Sequence, residues 1–375
     1  MKIGIDISQI VHGTGVSFYT RNLVRALAEI DKENDYLLIG TSRGRYQFLA
    51  DFGTEINKIN PLFLNRFFRW PVSLAEIWAN RWRFGSLEKL VGPMDIFHSS
   101  DWLQPPCQAV KVTTIHDFGF WRYPQTAHRK IRSVMKRRLL LVKKEVDKII
   151  CVSRATAKDA VQLLKVPPEK IEVIFEAPGL KFRKVPISKV AKIKDKYEIK
   201  GDYFLAVATI EPRKNFGGIL EAVAPILKKK PNLSLVVVGR LGWDKLMGRI
   251  MSQTDRVNLV GYIPTSDLVA LYNGSLGLIY PSLYEGFGLP VLEAFACGCP
   301  VVTSNISSLP EIAGRSAVLV NPLKAEEIGA GIKQVLAKRE ELIRRGFERV
   351  KKFSWKKTAE QTLALYEKTY RAFKN

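Results

Sequence analysis

Apolar and polar positions along the chain change repeatedly from the spacing of a strand to that of a helix. The first residues, MKIGIDI, alternate apolar and polar side chains, and leucines and alanines at helical spacing follow from Gly15. Strand-like runs return at DYLLIG, KVTTI and DKIICVS and, after a lysine-rich span, at GDYFLAVA. Strands that alternate with helices are typical of parallel sheets covered by helices. The pattern therefore predicts an α/β protein.

Length and a change in composition divide the chain. At 375 residues it is long for one core and fits two domains. A polar, lysine-rich span at 181–200 lies between two runs of alternating strands and helices. We predict a first domain at 1–185, a second at 186–354 and a last helix at 355–375.

Residues 280–300, YPSLYEGFGLPVLEAFACGCP, form the strongest candidate site. An apolar strand end passes through a glycine turn into a helix-like segment, and the N–H groups at the start of such a helix suit a phosphate. Glu285 precedes the turn and Glu293 follows it, too far along the helix to share one ligand oxygen with Glu285. The arrangement fits an elongated ligand with a central diphosphate and hydroxyl-rich groups at both ends.

Two adjacent cations, Arg213 and Lys214, stand at another predicted junction of strand and helix, in FLAVATIEPRKN. Such a pair can neutralise a diphosphate. A surface pair of charges is an equally good interpretation of these two residues taken alone.

Fewer signals point to a site in the first half. Gly13 and Gly15 allow a close backbone approach after the first strand, although a structural turn explains them as well. His116 ends the strand KVTTI, at the edge where open α/β sheets bind ligands. A lone histidine is more often structural, and we expect the adjacent Asp117 to brace the loop or the histidine.

The chain is strongly basic, since 59 lysines and arginines against 36 acids give a formal charge of +23. Nucleic acid and an anionic membrane surface are the two partners that such a charge favours. The sequence has no zinc-finger spacing, no glycine-aromatic RNA-binding signature and no repeat, so we expect no nucleic-acid partner.

Aromatic residues alternate with arginines over 60–90, as in an interfacial helix, and 128–148 is a helix dense in lysine and arginine. The alternative is that these aromatics pack in the core and the cations form a solvated surface. The predicted membrane or acceptor face consists of Arg66, Phe67, Arg69, Trp70, Trp82, Arg137 and Arg138.

Several classes of protein are disfavoured. No apolar run reaches spanning length and no signal peptide precedes the first strand, so we expect a cytoplasmic location. Four scattered cysteines do not make a disulfide framework. Cys297 and Cys299 lack a second pair at ligand spacing, so we predict small core residues there and no metal.

Four stretches resemble one enzyme family. EGFGLPVLE resembles the E-x7-E motif of retaining GT-B glycosyltransferases of group 1, which include sucrose synthase and many bacterial mannosyltransferases. TIEPRKN resembles the phosphate-clamp segment, with Lys214 as its lysine; Ala208 and Thr209 stand where the family usually has an arginine, and Arg213 is expected to take over that contact. More loosely, GTG resembles the family's first glycine loop, and TIHDFGF resembles the segment whose histidine contacts the transferred sugar.

The resemblance implies two doubly wound, Rossmann-like domains that face each other across a cleft, with the last helix crossing back onto the first. It implies a metal-independent hexosyltransferase that needs no cofactor besides its nucleoside-diphosphate sugar. The residues with a catalytic role would be Glu285, His116, Arg213 and Lys214. The residues that bind the donor would be Glu293, Gly286, Phe287, Gly288, Leu289, Tyr262, Ile263, Gly13 and Gly15.

The favoured donor is GDP-mannose, because the two motifs of the second domain look most like those of mannosyltransferases of surface polysaccharide. A lipid-linked or saccharide acceptor and a position on the inner face of the cell membrane are the matching expectations. A UDP-sugar donor is the main alternative. A sugar-nucleotide epimerase or phosphorylase and a basic nucleic-acid-binding protein are weaker ones.

Overall fold

The computed structural model describes residues 1–240 and 256–374. The chain divides into two compact units, of which the first combines Met1–Glu176 with Ser354–Asn375 and the second is Ala177–Phe353. Each unit is built on one sheet.

The sheet of the first unit has seven parallel strands in the order β3-β2-β1-β4-β5-β6-β7. Its core strands are buried along most of their length, as expected for a parallel sheet covered on both faces. The strands are β1 (Lys2–Asp6), β2 (Asp35–Thr41), β3 (Phe63–Phe68), β4 (Ile96–Ser99), β5 (Val110–Ile115), β6 (Lys148–Cys151) and β7 (Ile171–Val173).

Helices connect these strands and cover the sheet. Thr14 caps the first helix by accepting a hydrogen bond from the Ser17 N–H, and Ser153 caps the seventh by accepting one from the Thr156 N–H. The helices are α1 (Gly15–Ile30), α2 (Tyr46–Ile59), α3 (Val72–Ile77), α4 (Glu88–Val91), α5 (Gly119–Arg122), α6 (Arg129–Glu145) and α7 (Arg154–Leu164).

The aromatic and basic tract at 60–90 is not one interfacial helix. It begins as the edge strand β3, in which Phe63 is buried and Leu64 is exposed, and continues as α3 and a π-helical turn, Trp78–Trp82. The alternation of period two over Phe63–Phe68 fits a half-buried strand better than a helix.

The second unit repeats the architecture with a six-stranded parallel sheet among the described residues, in the order β10-β9-β8-β11-β12-β13. Leucine, isoleucine and valine from both sheet and helices fill its core, and Leu235, Val237 and Ile332 are fully buried. The strands are β8 (Asp202–Val207), β9 (Leu233–Val238), β10 (Val257–Gly261), β11 (Leu278–Tyr280), β12 (Val301–Ser304) and β13 (Val318–Val320).

Residues 177–185 belong to this second unit, although the sequence pattern placed them at the end of the first domain. The Val185 N–H donates to Asn273 Oδ1 over 3.1 Å, which ties this segment to the second unit. The helices of the unit are α8 (Ile187–Lys196), α9 (Phe216–Lys229), α10 (Thr265–Gly274), α11 (Leu289–Ala296), α12 (Leu309–Ala313), α13 (Ala325–Ala337) and α14 (Arg339–Val350).

The last helix, α15 (Trp355–Lys374), packs within the first unit. The Trp355 ring contacts Phe18 and Tyr19 of α1 edge-on, with ring centroids 5.9 and 5.8 Å apart. The Thr358 hydroxyl donates to the Phe175 carbonyl over 2.8 Å.

The order of strands sets where a ligand can bind in the second unit. The chain builds outward from β8 in one direction and then from β11 in the other, so β8 and β11 flank the switch point of the sheet. Open parallel sheets bind ligands beyond the carboxyl ends of their strands at such a point.

Candidate functional site

The segments that follow β8 and β11 carry the charged residues that the sequence singles out. A short 3-10 turn, Pro212–Lys214, follows β8, and Glu285 follows β11. The Leu283 N–H donates to the Arg213 carbonyl over 2.8 Å and thereby joins the two segments. The switch point of the second sheet therefore brings Arg213, Lys214 and Glu285 together.

The Glu285 carboxylate is buried between the two cations. Its Oε1 accepts hydrogen bonds from Lys214 Nζ at 2.6 Å and from the Tyr280 hydroxyl at 2.7 Å. Its Oε2 accepts from Arg213 NH1 at 3.1 Å. Both oxygens are thus oriented by donors from the strand and the turn.

These contacts determine the charge of the group. Burial alone would raise the pKa of Glu285, but the charges of Lys214 and Arg213 and the hydrogen bonds from Lys214 and Tyr280 outweigh it and lower the pKa to about 2. Burial and the charge of Arg213 lower the pKa of Lys214 from its ordinary value. Glu285 is therefore an anion throughout the physiological range.

Arg213 completes the cluster. Its NH1 also donates to the Tyr284 carbonyl over 2.7 Å, and its NH2 donates to Glu211 Oε1 over 2.6 Å. Its guanidinium thus links the β8 turn to the β11 loop, and Glu211 balances part of the positive charge.

The backbone around the cluster is fixed by residues with unusual conformations. Asn215, at φ 57°, follows the β8 turn, and its side-chain amide donates to the carbonyls of Pro281 and Pro322 over 3.2 and 2.7 Å. Gly288, at φ 103°, ends the glycine turn, where a Cβ would lie 2.7 Å from Leu309 Cδ2. Ser307 holds Glu285 by accepting from its N–H and donating to its carbonyl.

The glycine turn leads into α11 as predicted. Leu289 is the first residue of that helix, and Phe287 is buried with its ring 6.1 Å from that of Phe353. Gly286 and Gly288 are also buried, so the turn is a packed element of the unit.

Glu293 stands apart from the charged cluster. Its Oε2 accepts a hydrogen bond from the Tyr272 hydroxyl at 3.1 Å. Burial raises its pKa to about 7, and the bond from Tyr272 offsets only part of that effect. Near neutral pH the carboxyl is therefore close to half protonated.

The other predicted donor residue pair lies after β10. Tyr262 is 68% exposed, Ile263 is buried, and the guanidinium of Arg240 lies 4.8 Å from the centre of the Tyr262 ring. An exposed aromatic ring at the carboxyl edge of the sheet is a surface on which a base can stack.

The remaining predicted site residues belong to the first unit. Gly13, at φ 65°, ends a 3-10 turn after β1, and Gly15 begins α1 with open space where a Cβ would be. His116 follows β5, and its Nδ1 lies 3.1 Å from Glu176 Oε1. Asp117 accepts a hydrogen bond from the Gly119 N–H at 2.7 Å and so braces the loop as expected.

The residues of the predicted membrane face differ in exposure. Arg66, Arg69, Trp70 and Trp82 are exposed, and the indole of Trp82 is stacked 6.1 Å from the equally exposed Phe84. Phe67 and Arg137 are half-buried.

Arg138 does not belong to any surface, which corrects the sequence interpretation. Its side chain is fully buried, its NH2 donates to Thr113 Oγ1, and its NH1 lies 3.5 Å from Asp101 Oδ1. A buried arginine needs carboxylates, and Asp101 and Asp6 lie close enough to act on its charge.

Sequence reasoning missed the groups that orient the two glutamates of the second unit. Tyr280 and Tyr272 donate to Glu285 and Glu293, and Glu211 pairs with Arg213. Tyr280 is the last residue of a buried apolar strand. A tyrosine hydroxyl at a buried position needs a hydrogen-bond partner, and this could have indicated the contact from the sequence.

The described residues contain neither a metal-binding cluster nor a helix that could span a membrane. At 1–240 and 256–374 no three or more histidines, cysteines, aspartates or glutamates are grouped as a metal site would require. Over the same residues, every helix is too short or too polar to span a bilayer.

Comparison with known proteins identifies relatives of both units. Residues 189–351 match the family model described as glycosyl transferases group 1, and residues 13–176 match that of glycosyltransferase family 4. The O-antigen chain mannosyltransferase B of Escherichia coli is 31% identical over 281 residues, which are 72% of this chain and 74% of that protein. A serotype-specific mannosyltransferase WbdA of the same species is 30% identical over 57% of this chain but only 28% of its own length.

Solved structures support the fold. Sucrose-phosphate synthase from Thermosynechococcus elongatus matches with a TM-score of 0.75 at 20% identity, over 99% of this chain and 100% of that one. HepE from Anabaena, solved with UDP-glucose, matches with a TM-score of 0.74 at 15% identity, over 98% and 100%. The predicted fold class, two Rossmann-like domains of the GT-B type, is confirmed.

Proposed function

Since this chain belongs to the glycosyl transferases of group 1, we propose that it transfers mannose from GDP-mannose to a saccharide or lipid-linked acceptor of a surface polysaccharide, with retention of configuration. The observation that carries the proposal is the cluster of Arg213, Lys214 and Glu285 at the switch point of the second sheet. The mannosyltransferases among its relatives support mannose as the sugar.

The cluster suits a diphosphate leaving group. The Lys214 ammonium has three N–H groups, and among the described residues two of them are used, on Tyr280 and Glu285. The third donates to a phosphate oxygen, and the positive end of the α11 dipole adds to the same field. No metal is needed for this charge balance.

The other polar groups hold the rest of the donor. Glu293 accepts hydrogen bonds from the ribose hydroxyls, the loop of Tyr262 and Ile263 lines the base, and Glu285 holds the sugar ring. In the first unit, Gly13 and Gly15 allow the close approach of a ligand to the backbone, and His116 binds a sugar hydroxyl.

Transfer follows on one face of the sugar. The bond from C1 to the diphosphate oxygen breaks, the acceptor oxygen bonds to C1 on the same face, and the acceptor proton passes to the departing phosphate. Arg213 and Lys214 stabilise the charge that develops on the leaving group, which is where preorganised cations accelerate a reaction most.

A transfer assay tests this function. The protein is incubated with labelled GDP-mannose or UDP-glucose, with either bacterial lipid extract or mannose oligosaccharides as acceptor. We expect label to move from GDP-mannose only. Transfer from UDP-glucose alone would contradict GDP-mannose as the donor and favour a UDP-sugar instead. HepE was solved with UDP-glucose, but its 15% identity supports only the shared fold.

Donor affinity is expected to rise with pH around neutrality. The pKa of Glu293 is raised to about 7, and ribose hydroxyls favour the ionised carboxylate, so binding below that pH must first remove a proton. Calorimetric titration should show the affinity for GDP-mannose increasing up to about tenfold per pH unit below pH 7 and levelling above it. GDP-mannose is the right probe because its diphosphate is a diester and does not titrate in this range.

Glu293→Gln is the matched control for that dependence. The variant keeps an acceptor oxygen but loses the titrating carboxyl, so its weaker affinity should no longer rise with pH below 7. A wild-type affinity that is equally flat would contradict the role of Glu293.

We also propose that the first unit binds an anionic membrane at the cytoplasmic face. The exposed aromatic residues Trp82 and Phe84 adjoin Arg81, whose side chain is 50% exposed, and bulky apolar groups beside arginines sink into the headgroup layer. The exposed Leu140 lies on α6, the helix of the same unit that is rich in lysine and arginine.

Vesicle binding tests this surface. Replacing Arg66, Arg69 and Arg81 together by glutamine should weaken binding to phosphatidylglycerol-containing vesicles by roughly 100-fold, at about 1 kcal/mol per charge. The control removes the same charge from the second unit, at Lys333, Lys338 and Lys352, which are all exposed. Equal losses in the two triple variants would mean that only net charge matters and that the face is not a docking surface.

A further inference from the structure

His116 has a buried acidic partner that the proposed reaction does not use. Its Nδ1 lies 3.1 Å from Oε1 of Glu176, and the two side chains are only 12% and 5% exposed. Glu176 stands just after β7 and His116 just after β5, so both occupy the carboxyl edge of the first sheet. At this distance the Nδ1–H donates to the carboxylate.

A second contact fixes the ring. The Tyr19 ring packs edge-on against the imidazole, with centroids 4.7 Å apart and planes at 80°. Tyr19 is itself held, because its hydroxyl is 3.2 Å from Thr114 Oγ1. With Nδ1 bound and the ring packed, Nε2 is the nitrogen left for a ligand, since it has no hydrogen-bond partner among residues 1–240 and 256–374.

The groups around His116 favour its cation. Burial lowers the pKa of His116, but the hydrogen bond and charge of Glu176, together with the charges of Asp101 and Asp117, outweigh burial and raise it above its ordinary value. On the same edge, burial and the charges of His116 and Arg138 lower the pKa of His98 to about 3.

His98 thus stays neutral, whereas the surroundings of His116 favour its protonated form. The ring of His98 lies between the Tyr366 hydroxyl, 2.5 Å from Nδ1, and Thr114 Oγ1, 2.9 Å from Nε2. Both of its nitrogens are used inside the first unit, so it does not compete for a ligand.

We propose that Glu176 is a positioning residue, which holds His116 as an imidazolium with its Nε2–H presented to an oxygen of the sugar. This deepens the proposed function and rests on it for the identity of the ligand. A charge-assisted hydrogen bond from Nε2 is stronger than one from a neutral ring. In a neutral imidazole bound to Glu176 through Nδ1–H, Nε2 carries a lone pair and can only accept a hydrogen bond. A sugar hydroxyl would then have to donate to it.

The direct test is the titration of His116 in the full-length protein. The chain has four histidines, so their NMR signals can be separated and that of His116 assigned by its loss in His116→Gln. Glu176→Gln keeps a hydrogen-bond acceptor but removes the charge, and should lower the pKa of His116 by about 1 to 3 pH units. Glu172→Gln, an exposed glutamate on β7, should leave it unchanged.

Kinetics supply a readout that a merely structural role would not move. As pH rises through the pKa of His116 the Nε2–H of the cation is lost, so transfer should fall on the alkaline side. In Glu176→Gln that fall should begin at lower pH, and at about pH 5.5 kcat should return to within a few-fold of wild type because the ring is then protonated without Glu176.

The outcomes separate this inference from the proposed function. An unchanged His116 titration in Glu176→Gln would overturn the inference, and so would a loss of kcat that is equal at every pH. A lowered titration in a protein that transfers no mannose would support the Glu176 contact and overturn the function instead.

Discussion

Replacing Glu285 by glutamine is expected to lower kcat for sugar transfer roughly 1,000-fold without weakening the binding of GDP. The carboxylate lies between Arg213 and Lys214 and is an anion, with its pKa near 2. Its removal takes away the group that holds the sugar, yet it leaves both cations available to the diphosphate. The measurement is kcat with GDP-mannose beside a calorimetric Kd for GDP.

Two further variants frame that result. Lys214→Gln removes the ammonium that is proposed to bind the diphosphate, so both kcat and GDP affinity should fall. Glu340→Gln, at an exposed position of α14, should change neither. Wild-type turnover in Glu285→Gln, or a loss of GDP binding as large as that in Lys214→Gln, would contradict the role of Glu285 in holding the sugar.

Replacing Arg138 by alanine is expected to destabilise the first unit by about 3 to 5 kcal/mol. The guanidinium is fully buried, and burial lowers its pKa while Asp101 and Asp6 raise it. Its loss takes away the guanidinium whose charge acts on both carboxyl groups, and Asp6 is buried. At roughly 2 to 4 °C per kcal/mol, the melting temperature should fall by about 6 to 20 °C.

Arg137→Ala is the matched control, one residue along the same helix. Arg137 is half-buried and its NH1 lies 3.4 Å from Glu76 Oε1, so its loss should cost about 1 kcal/mol or less. The deficit of Arg138→Ala should also shrink at about pH 5, because the stranded carboxyl groups then take up protons more readily. Similar melting temperatures for the two variants would contradict a structural role for Arg138.

The second unit was largely predictable because its signals are local. A strand followed at once by a glycine turn and a helix is written in consecutive residues, and the φ of 103° at Gly288 explains why glycine stands there. The adjacent cations Arg213 and Lys214 likewise lie where strand alternation ends. Parallel order then brings these two segments to one edge of the sheet.

Other contacts were missed because they depend on pairing across long stretches of sequence. Nothing in the basic helix α6 distinguishes the buried Arg138 from the half-buried Arg137, because the partners of Arg138 are Asp101 and Thr113, on other elements. The same holds for Glu293, whose partner Tyr272 is 21 residues earlier. A helix dense in charged residues is predicted to lie at the surface, but only the tertiary fold determines which of its cations is buried.

The prediction of an interfacial helix at 60–90 was wrong for a different reason. Aromatic residues beside arginines are equally compatible with an interfacial helix and with an edge strand, and β3 takes the second form. Its predicted role as a membrane face stays a prediction, as does the cleft between the two domains that the family resemblance implies.

The central claim, a GDP-mannose site in the second unit, is tested most directly by thermal unfolding of the wild-type protein with millimolar GDP-mannose, UDP-glucose, UDP-GlcNAc and ADP-glucose and the matching nucleotides. A ligand at about 100 times its Kd stabilises by about 2.7 kcal/mol, so GDP-mannose and GDP should raise the melting temperature by roughly 5 to 10 °C. The UDP and ADP compounds should not. A rise with UDP compounds alone would contradict the donor, and no rise with any compound would contradict the site.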